Sequence, residues 1–416
     1  MRLIVQKYGG TSVGDADRIR NVAQRIVETQ REGNRVVAVI SAMAGVTDEL
    51  TKLAQQMSPE PTKRELDVLL ATGERAACAL VAMAINALGG RAISLTGAEA
   101  GILTDRIHTK ARIANISPKQ IQELVSEDYI VIVAGFQGQT AEGETTTLGR
   151  GGSDLTAIAL AGALNANACQ IFTDVDGVFT CDPRIVSDAK KLDEIAYDEI
   201  LEMAGSGAKV MQSRAVEFAK KFGVDFEVRS SFNRNLGTTA REETANMEDV
   251  VVRGISVERH QAKLTVDDVK DEPGIAGRIF SAIAESNIVV DMIVQSVSEH
   301  GTTDLSFTIH ENDLDAARKL LEPMVKEVNA AGLITKSGVA KLSVVGIGMR
   351  SHSGVAARLF RCLGQGGINI QLISTSEIKI AVIVDEKEAD LAAQLTHAEF
   401  DLATLFPTAS ATRPLA

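Results

Sequence analysis

The stretch Thr147-Leu148-Gly149-Arg150-Gly151-Gly152-Ser153-Asp154, which runs directly into the apolar segment Leu155 to Leu164, has the residue types of a ligand-binding loop. Three glycines around one arginine do not belong inside a helix, where each costs about 1 kcal/mol relative to alanine. They suit a tight turn whose bare backbone lets a ligand come close. Ser153 is placed to cap the succeeding helix, whose N-terminal amides and dipole favour an anion. Arg150 adds a planar fork matched to a carboxylate or a phosphate. A glycine-rich connector with a solvated arginine is the plainer reading of the same residues.

Other stretches carry related chemistry. Leu3 to Gln6 reads as a short buried strand that ends in Lys7-Tyr8-Gly9-Gly10-Thr11-Ser12, ahead of a helix with apolar positions at Ile19, Val22, Ala23, Ile26 and Val27. Strand, glycine turn and helix present backbone amides to phosphate, and the Lys7 ammonium can reach the same ligand. The Gly-Lys-Ser/Thr ending of a P-loop is missing. Val36 to Ile40 opens into a loop with hydroxyls at Ser41 and Thr47, at the strand end where open α/β sheets bind ligands. Glu74 interrupts the apolar face of a helix predicted over Leu66 to Leu88. A buried carboxylate needs a cation, either a substrate ammonium or a salt bridge such as one to Arg75. The strand Cys169 to Thr173 runs into Asp174-Val175-Asp176-Gly177-Val178-Phe179-Thr180-Cys181-Asp182-Pro183-Arg184. Phe179 there suits a base or ribose and Arg184 a phosphate, although Asp-Gly and Asp-Pro also mark ordinary turns.

The elements that must position these residues can be read from the pattern of the chain. At 416 residues two or three domains are expected. Strands at Ala92 to Leu95, Tyr129 to Val133 and Asp225 to Arg229 alternate with helices, one of them containing Gly207-Ala208-Lys209-Val210-Met211. That alternation predicts a mostly parallel sheet covered on both faces, an α/β three-layer sandwich. Leu236 to Asp249 is polar and reads as a linker. A net charge of −12 argues against a nucleic-acid partner. No apolar run is expected to reach the roughly 20 residues that span a bilayer, and the N-terminus is too short for a signal peptide. Four scattered cysteines, Cys78, Cys169, Cys181 and Cys362, suggest free thiols in a reducing cytoplasm.

Beyond the linker the chain repeats itself. The segment beginning Asp271-Glu272-Pro273-Gly274 lies on the one beginning Ser351-His352-Ser353-Gly354 at a constant offset without a gap. Gly274/Gly354, Ala276/Ala356, Arg278/Arg358, Phe280/Phe360, Ile288/Ile368, Ile293/Ile373 and Ser296/Ser376 are identical. Each copy reads as strand, helix, strand, strand, helix, a small α+β sandwich.

Taken together, these stretches resemble the aspartate kinase family of the amino acid kinase superfamily, with two C-terminal ferredoxin-like ACT domains. The resemblance rests on Lys7 to Ser12, the Ser41 to Asp48 loop, Leu70-Ala71-Thr72-Gly73-Glu74, Thr147 to Asp154, Asp174 to Arg184 and Gly207-Ala208-Lys209-Val210. Ser374-Thr375-Ser376-Glu377-Ile378 adds a motif in the repeats. Phe179 stands where many relatives carry tyrosine. The implied layout is a catalytic domain over 1–235, a linker over 236–249 and a first ACT domain over 263–337. The second would be built from 250–262 and 338–408, with the first inserted in it.

The resemblance implies ATP- and Mg²⁺-dependent phosphorylation of the L-aspartate β-carboxylate. A carboxylate with a pKa of about 4 is ionised at neutral pH and needs no base to become a nucleophile. The enzyme must then supply positioning and charge neutralisation. In that assignment Lys7 stabilises the transferring phosphoryl group and Asp154 orients Lys7 or hydrated Mg²⁺. Arg150, Gly151, Ser41, Thr47 and Ser153 hold a substrate carboxylate, and Glu74 takes the ammonium. Lys7, Tyr8, Gly9, Gly10, Ser12, Thr173, Asp174, Phe179, Arg184, Lys209 and Val210 would line the nucleotide. Lysine and threonine are the implied effectors, at Asp271, Gly274, Ile275, Ala276, Met292 and Gln295 in the first copy. Asn369, Ile370, Ser376 and Glu377 are their counterparts in the second. Homo-oligomers through the ACT domains are expected, or a separate regulatory subunit starting near Met247. The alternatives are a kinase for acetylglutamate or glutamate, and a catalytically inactive amino-acid sensor, which should have lost Lys7, Arg150 or Asp154.

Overall fold

The runs Val36-Val37-Ala38-Val39-Ile40 and Ile130-Val131-Ile132-Val133-Ala134 lack the alternation of a half-exposed strand, and every residue in them is buried. The computed structural model describes residues 1–203, 211–242, 251–286, 288–297, 301–347, 349 and 354–404, and these runs lie inside an eight-stranded sheet. The chain forms two units. The first contains Met1–Val178 and the described residues of 191–242, and the second contains Phe179–Lys190 and the described residues from 251 onward.

The first unit begins with β1 (Leu3–Tyr8), α1 (Ala16–Arg31), β2 (Arg35–Ile40), α2 (Val46–Met57), α3 (Lys63–Ala87) and β3 (Ala92–Leu95). It continues through β4 (Ile102–Thr104), β5 (Ile113–Ile116), α4 (Lys119–Ser126), β6 (Ile130–Ala134), β7 (Gln137–Gln139) and β8 (Thr145–Thr147). Then come α5 (Gly152–Ala163), β9 (Ala168–Thr173), β10 (Glu194–Ala196), α6 (Tyr197–Met203), α7 (Ser213–Phe222), β11 (Phe226–Ser230) and β12 (Thr238–Arg241). The large sheet has the order β10-β12-β11-β9-β1-β2-β6-β3, parallel from β11 to β3, with β12 antiparallel to β11. Apolar residues of α1 and α3, among them Ile26, Val81 and Ile85, pack on one face. Helix α5 covers β1, β2 and β9 on the other. From β1 the chain passes to β2 on one side and later to β9 on the other, so β1 lies at a topological switch point, where such sheets take ligands.

Two expectations change here. The stretch read as a linker starts with β12, whose Thr238 and Ala240 are buried. Its threonines are β-branched and polar, so they fit a strand edge while looking like linker composition. Helix α3 is long and apolar enough by length and composition to cross a membrane, contrary to the expectation of no such run. Its buried stripe, from Leu70 to Ile85, faces the core of the first unit, as a core helix does. Lys209, Val210 and Met247 lie outside the described residues.

The second unit is built from β13 (Gly254–Lys270), α8 (Ile275–Glu285), β14 (Val290–Val297), β15 (Thr302–His310), α9 (Leu314–Glu327) and β16 (Gly332–Val345). It ends with α10 (Val355–Gln365), β17 (Leu372–Thr375), β18 (Lys379–Asp385) and α11 (Ala389–Glu399). Both copies show the predicted order of elements, joined in one antiparallel sheet, β14-β15-β13-β16-β18-β17. The start of β13, Gly254 to Glu258, pairs with Lys341 to Val345 beside the second copy, and its remainder pairs with β15 in the first. Each copy has its own core, one around Leu264, Ile279 and Phe307, the other around Leu342, Leu359 and Leu363. Phe179–Lys190 contributes Cys181 and Val186 to that second core.

Candidate active site

Alternation along β1 sends Gln6 and Tyr8 toward α1 and α3 and Lys7 toward α5. The Lys7 ammonium lies 2.7 Å from an Asp154 carboxylate oxygen in the first turn of α5. Tyr8 is fully buried, its ring stacked 4.7 Å from that of Phe172, so it offers a ligand only backbone. Burial holds the Tyr8 phenol well above its usual range. After Tyr8 the chain bends tightly against the end of β2. A β-carbon on Gly10 would meet the Ala42 carbonyl oxygen at 2.8 Å, and one on Gly9 would come within 3.4 Å of Lys7 Nζ. Glycine at both positions lets the turn pack this closely without a side chain over the Lys7 ammonium, while the Gly9 amide donates to the Phe172 carbonyl at 3.2 Å. The Ser12 hydroxyl donates to Ser231 Oγ at 2.9 Å, and Ser231 Oγ donates to the Thr173 carbonyl, which ties this turn to the ends of β9 and β11.

Glu74 is buried in α3, and its Oε1 accepts the Ala42 amide at 3.2 Å. Its other oxygen has no hydrogen-bond partner among the described residues. The neighbouring Arg75 donates instead to Gln137 Oε1, so the salt bridge weighed as the plain alternative is not made. Burial pushes the Glu74 carboxyl up to about 7, although its own amide and that of Ala42 pull the other way. A cation arriving beside it reverses that shift. Ser41 and Thr47 flank this carboxylate's loop, Ser41 at the end of β2 and Thr47 in the first turn of α2.

The Arg150 loop differs from expectation in one detail. Gly151, with φ of +70°, is the N-cap of α5, and Ser153 lies inside the helix with no capping hydrogen bond. The reason is steric: a β-carbon on Gly151 would overlap the Gln212 side chain at 2.3 Å, and only glycine takes that position at that φ. Ser153 Oγ instead sits over Gly135, where a β-carbon would meet it at 2.7 Å. Arg150 itself is exposed on the turn between Gly149 and Gly151, both left-handed.

Thr173 donates to Asp174 Oδ1 at 3.2 Å where β9 ends, and Asp174 is exposed. Val178, still in the first unit, donates to Thr238 Oγ1. Phe179 and Arg184 belong to the second unit, where the exposed Arg184 grips Asp182 at 2.6 Å. That unit also has a cavity of about 400 Å³ at the N-terminus of α8, lined by Asp271, Gly274, Ile275, Ala276 and Gln295 together with Thr303. Met292 is not among its walls and packs with Val339, Leu372 and Ile383. In the second copy Asn369 and Glu377 are exposed, Ile370 packs on the core and Ser376 donates its amide to the Lys379 carbonyl. Residues 351–353 are outside the described residues.

Residues 2–230 match the model of the amino acid kinase family, and residues 266–323 and 342–400 match an ACT domain. An aspartate kinase of Pseudomonas fluorescens is 50% identical over 97% of this chain and 98% of its own. The aspartokinase of Helicobacter pylori strain 26695 is 49% identical over 96% and 99%. The chain belongs to the aspartate kinase family. Among solved structures, E. coli aspartokinase III in complex with aspartate and ADP superposes with a TM-score of 0.79 at 26% identity, covering 95% of this chain and 99% of that one.

An aspartate kinase site has a frame as well as ligands, and sequence reading missed the frame. Arg214 donates to the carbonyls of Leu148, at 2.7 Å, and Ala111, and so pins one side of the Arg150 loop. Gln137 bridges Arg75 and the Ala71 carbonyl beneath Glu74. These residues carry no motif, because their partners are distant in sequence.

Proposed function

We propose that this chain transfers the γ-phosphoryl group of ATP to the β-carboxylate of L-aspartate, giving 4-phospho-L-aspartate, the first step toward lysine, threonine and methionine. The observation that carries the reading is the buried Glu74 oxygen without a partner. A substrate α-ammonium satisfies it, and no phosphate or second carboxylate would. Arg150 takes a substrate carboxylate, helped by Ser41, Thr47 and Ser153. The turn at Gly9, Gly10 and Ser12 cradles phosphate, and Thr173 and Asp174 flank the nucleotide. Lys209 and Val210 join them by resemblance alone, as do Phe179 and Arg184. Lys7, held by Asp154, supplies positive charge where negative charge develops on the transferring group. The Mg²⁺ accompanying ATP neutralises phosphate charge, and the carboxylates of Asp154 and Asp174 are donors suited to a hydrated hard cation. The nucleophile arrives ionised, so no residue need act as base.

The cavity at α8 suits a free amino acid: amides of the helix N-terminus face a carboxylate and Asp271 an ammonium. Lysine and threonine are the proposed effectors. E. coli aspartokinase III has been solved with lysine and aspartate in a T-state, at a TM-score of 0.78 and 26% identity, which supports regulation of this kind.

The test is ADP release from ATP with L-aspartate, with glutamate and without an acceptor, coupled to hydroxamate trapping of the acyl phosphate. Aspartate-dependent release with trapped product is expected. Release with glutamate only, or none with any acceptor, would overturn the reading.

A further inference from the structure

We infer that Asp67 is a positioning residue for the Arg150 loop and thereby a determinant of affinity for the substrate carboxylate, an inference that rests on the reading of Arg150 given above. Asp67 stands near the start of α3 and is completely buried. A buried carboxylate persists only with donors around it, and among the described residues no lysine or arginine supplies them here. Its donors come from two separate segments. The Thr109 amide reaches both oxygens at 3.0 Å and His108 Nδ1 lies 2.8 Å away. The Thr147 hydroxyl, at the end of β8, donates to Oδ1 at 2.5 Å.

Both segments bear on Arg150. Thr147 is three positions before it, and the Ala111 amide donates to the Thr147 carbonyl at 2.9 Å. Thr109 takes φ of +70°, a conformation a β-branched residue adopts only under constraint. Its carbonyl then abuts Gly149, where a β-carbon would approach it to 3.3 Å. Asp67 therefore fastens a strained turn and the strand end together, and Arg214 ties the same two segments through the carbonyls of Ala111 and Leu148. The side chain touches no substrate in this arrangement. It fixes where the backbone carries the guanidinium, and a bidentate contact is sensitive to such placement.

The test is steady-state kinetics of Asp67→Asn, Thr147→Val and Thr147→Ser, each also in an Arg150→Ala background. Asp67→Asn is expected to raise aspartate KM about tenfold, with kcat and ATP KM within about twofold. Thr147→Val should give a smaller rise that Thr147→Ser restores. With Arg150 already removed, Asp67→Asn should add less than about twofold, because the group it positions is gone. An undiminished effect in that background, or a fall in kcat with KM unchanged, overturns the inference. If Asp67→Asn does not fold, the Thr147 pair decides by the same criteria. An Arg150→Ala variant with normal aspartate KM would instead sink the assignment of Arg150.

Discussion

Glu74 in the first unit and Lys341 in the second are both ionisable groups taken out of water, and the protein treats them in opposite ways. Lys341 is 2% exposed, with Glu258 Oε2 at 2.8 Å on one side and Asp291 on the other. Burial alone would lower its pKa, but Asp291 and Glu258 more than offset it, and the net shift is upward. Glu74 is equally hidden, yet one oxygen has no partner and its carboxyl is left poised near neutral pH. A group completed by its own chain serves the fold, whereas a buried group left incomplete is a candidate for binding a ligand. Lys7 stands between them: among the described residues one carboxylate holds it, while an ammonium carries three donors.

This contrast breaks most visibly at Lys7. Lys7→Ala should depress kcat by about 10³-fold with little change in thermal stability, since the charge proposed to act at the transferring group is lost. Near-normal kcat in a rapid-quench assay would remove Lys7 from the chemistry.

Glu74→Gln should raise aspartate KM about tenfold to a hundredfold while largely sparing an analogue that lacks the amino group. The pH dependence sharpens the point. In the proposed assignment ionised Glu74 is the form that takes the ammonium, so kcat/KM for aspartate should climb as pH rises through about 7 and flatten in the variant. Stability runs the other way. Between the ordinary glutamate range and about 7 the native chain keeps a proton that the unfolded chain has lost, so stability falls as pH rises across that window. Denaturant titrations at several pH values should show this slope in the parent and not in Glu74→Gln.

Gln295→Ala, on the wall of the α8 cavity, should raise the half-inhibitory concentration of lysine or threonine about tenfold, leaving kcat and KM without effector unchanged. Unaltered inhibition would place the effector elsewhere. The smallest effect belongs to the completed group. Lys341→Met removes a cation from two partly exposed acids and should cost only about 1–2 kcal/mol in denaturant titrations, with normal kcat. Loss of activity in that variant would show that Lys341 does more than support the fold.

Much of this was legible in the residues. Parallel strands buried on both faces leave uninterrupted apolar runs, glycine turns mark where a ligand meets bare backbone, and a duplicated module leaves a repeat. What escaped has a common cause. Thr238–Arg241 looked like linker because a short strand with threonines has no apolar signature. Asp67 sits in Lys63-Arg64-Glu65-Leu66-Asp67, which reads as a solvated helix start, and its partners lie more than forty positions away. Ser153 looked like a cap because composition cannot tell at which of these residues the helix begins, and it begins at Gly152 with Gly151 as the cap.

The segment Phe179–Lys190 leaves the first unit and joins the second. Thr180 receives the Ile255 amide at 2.7 Å and sits 3.0 Å from His397, Gln394 donates to the Ile185 carbonyl, and Cys181 and Val186 fill the core beside Leu342. The two halves are thus interleaved along the chain rather than strung in series, and no single cut parts them. A fragment ending after β12 carries Cys181, Ile185, Val186 and Ala189 stripped of their cover, and one beginning there has a core without them. Chimeras that exchange regulatory halves between relatives must therefore be three-piece grafts, in which these residues travel with the C-terminal donor.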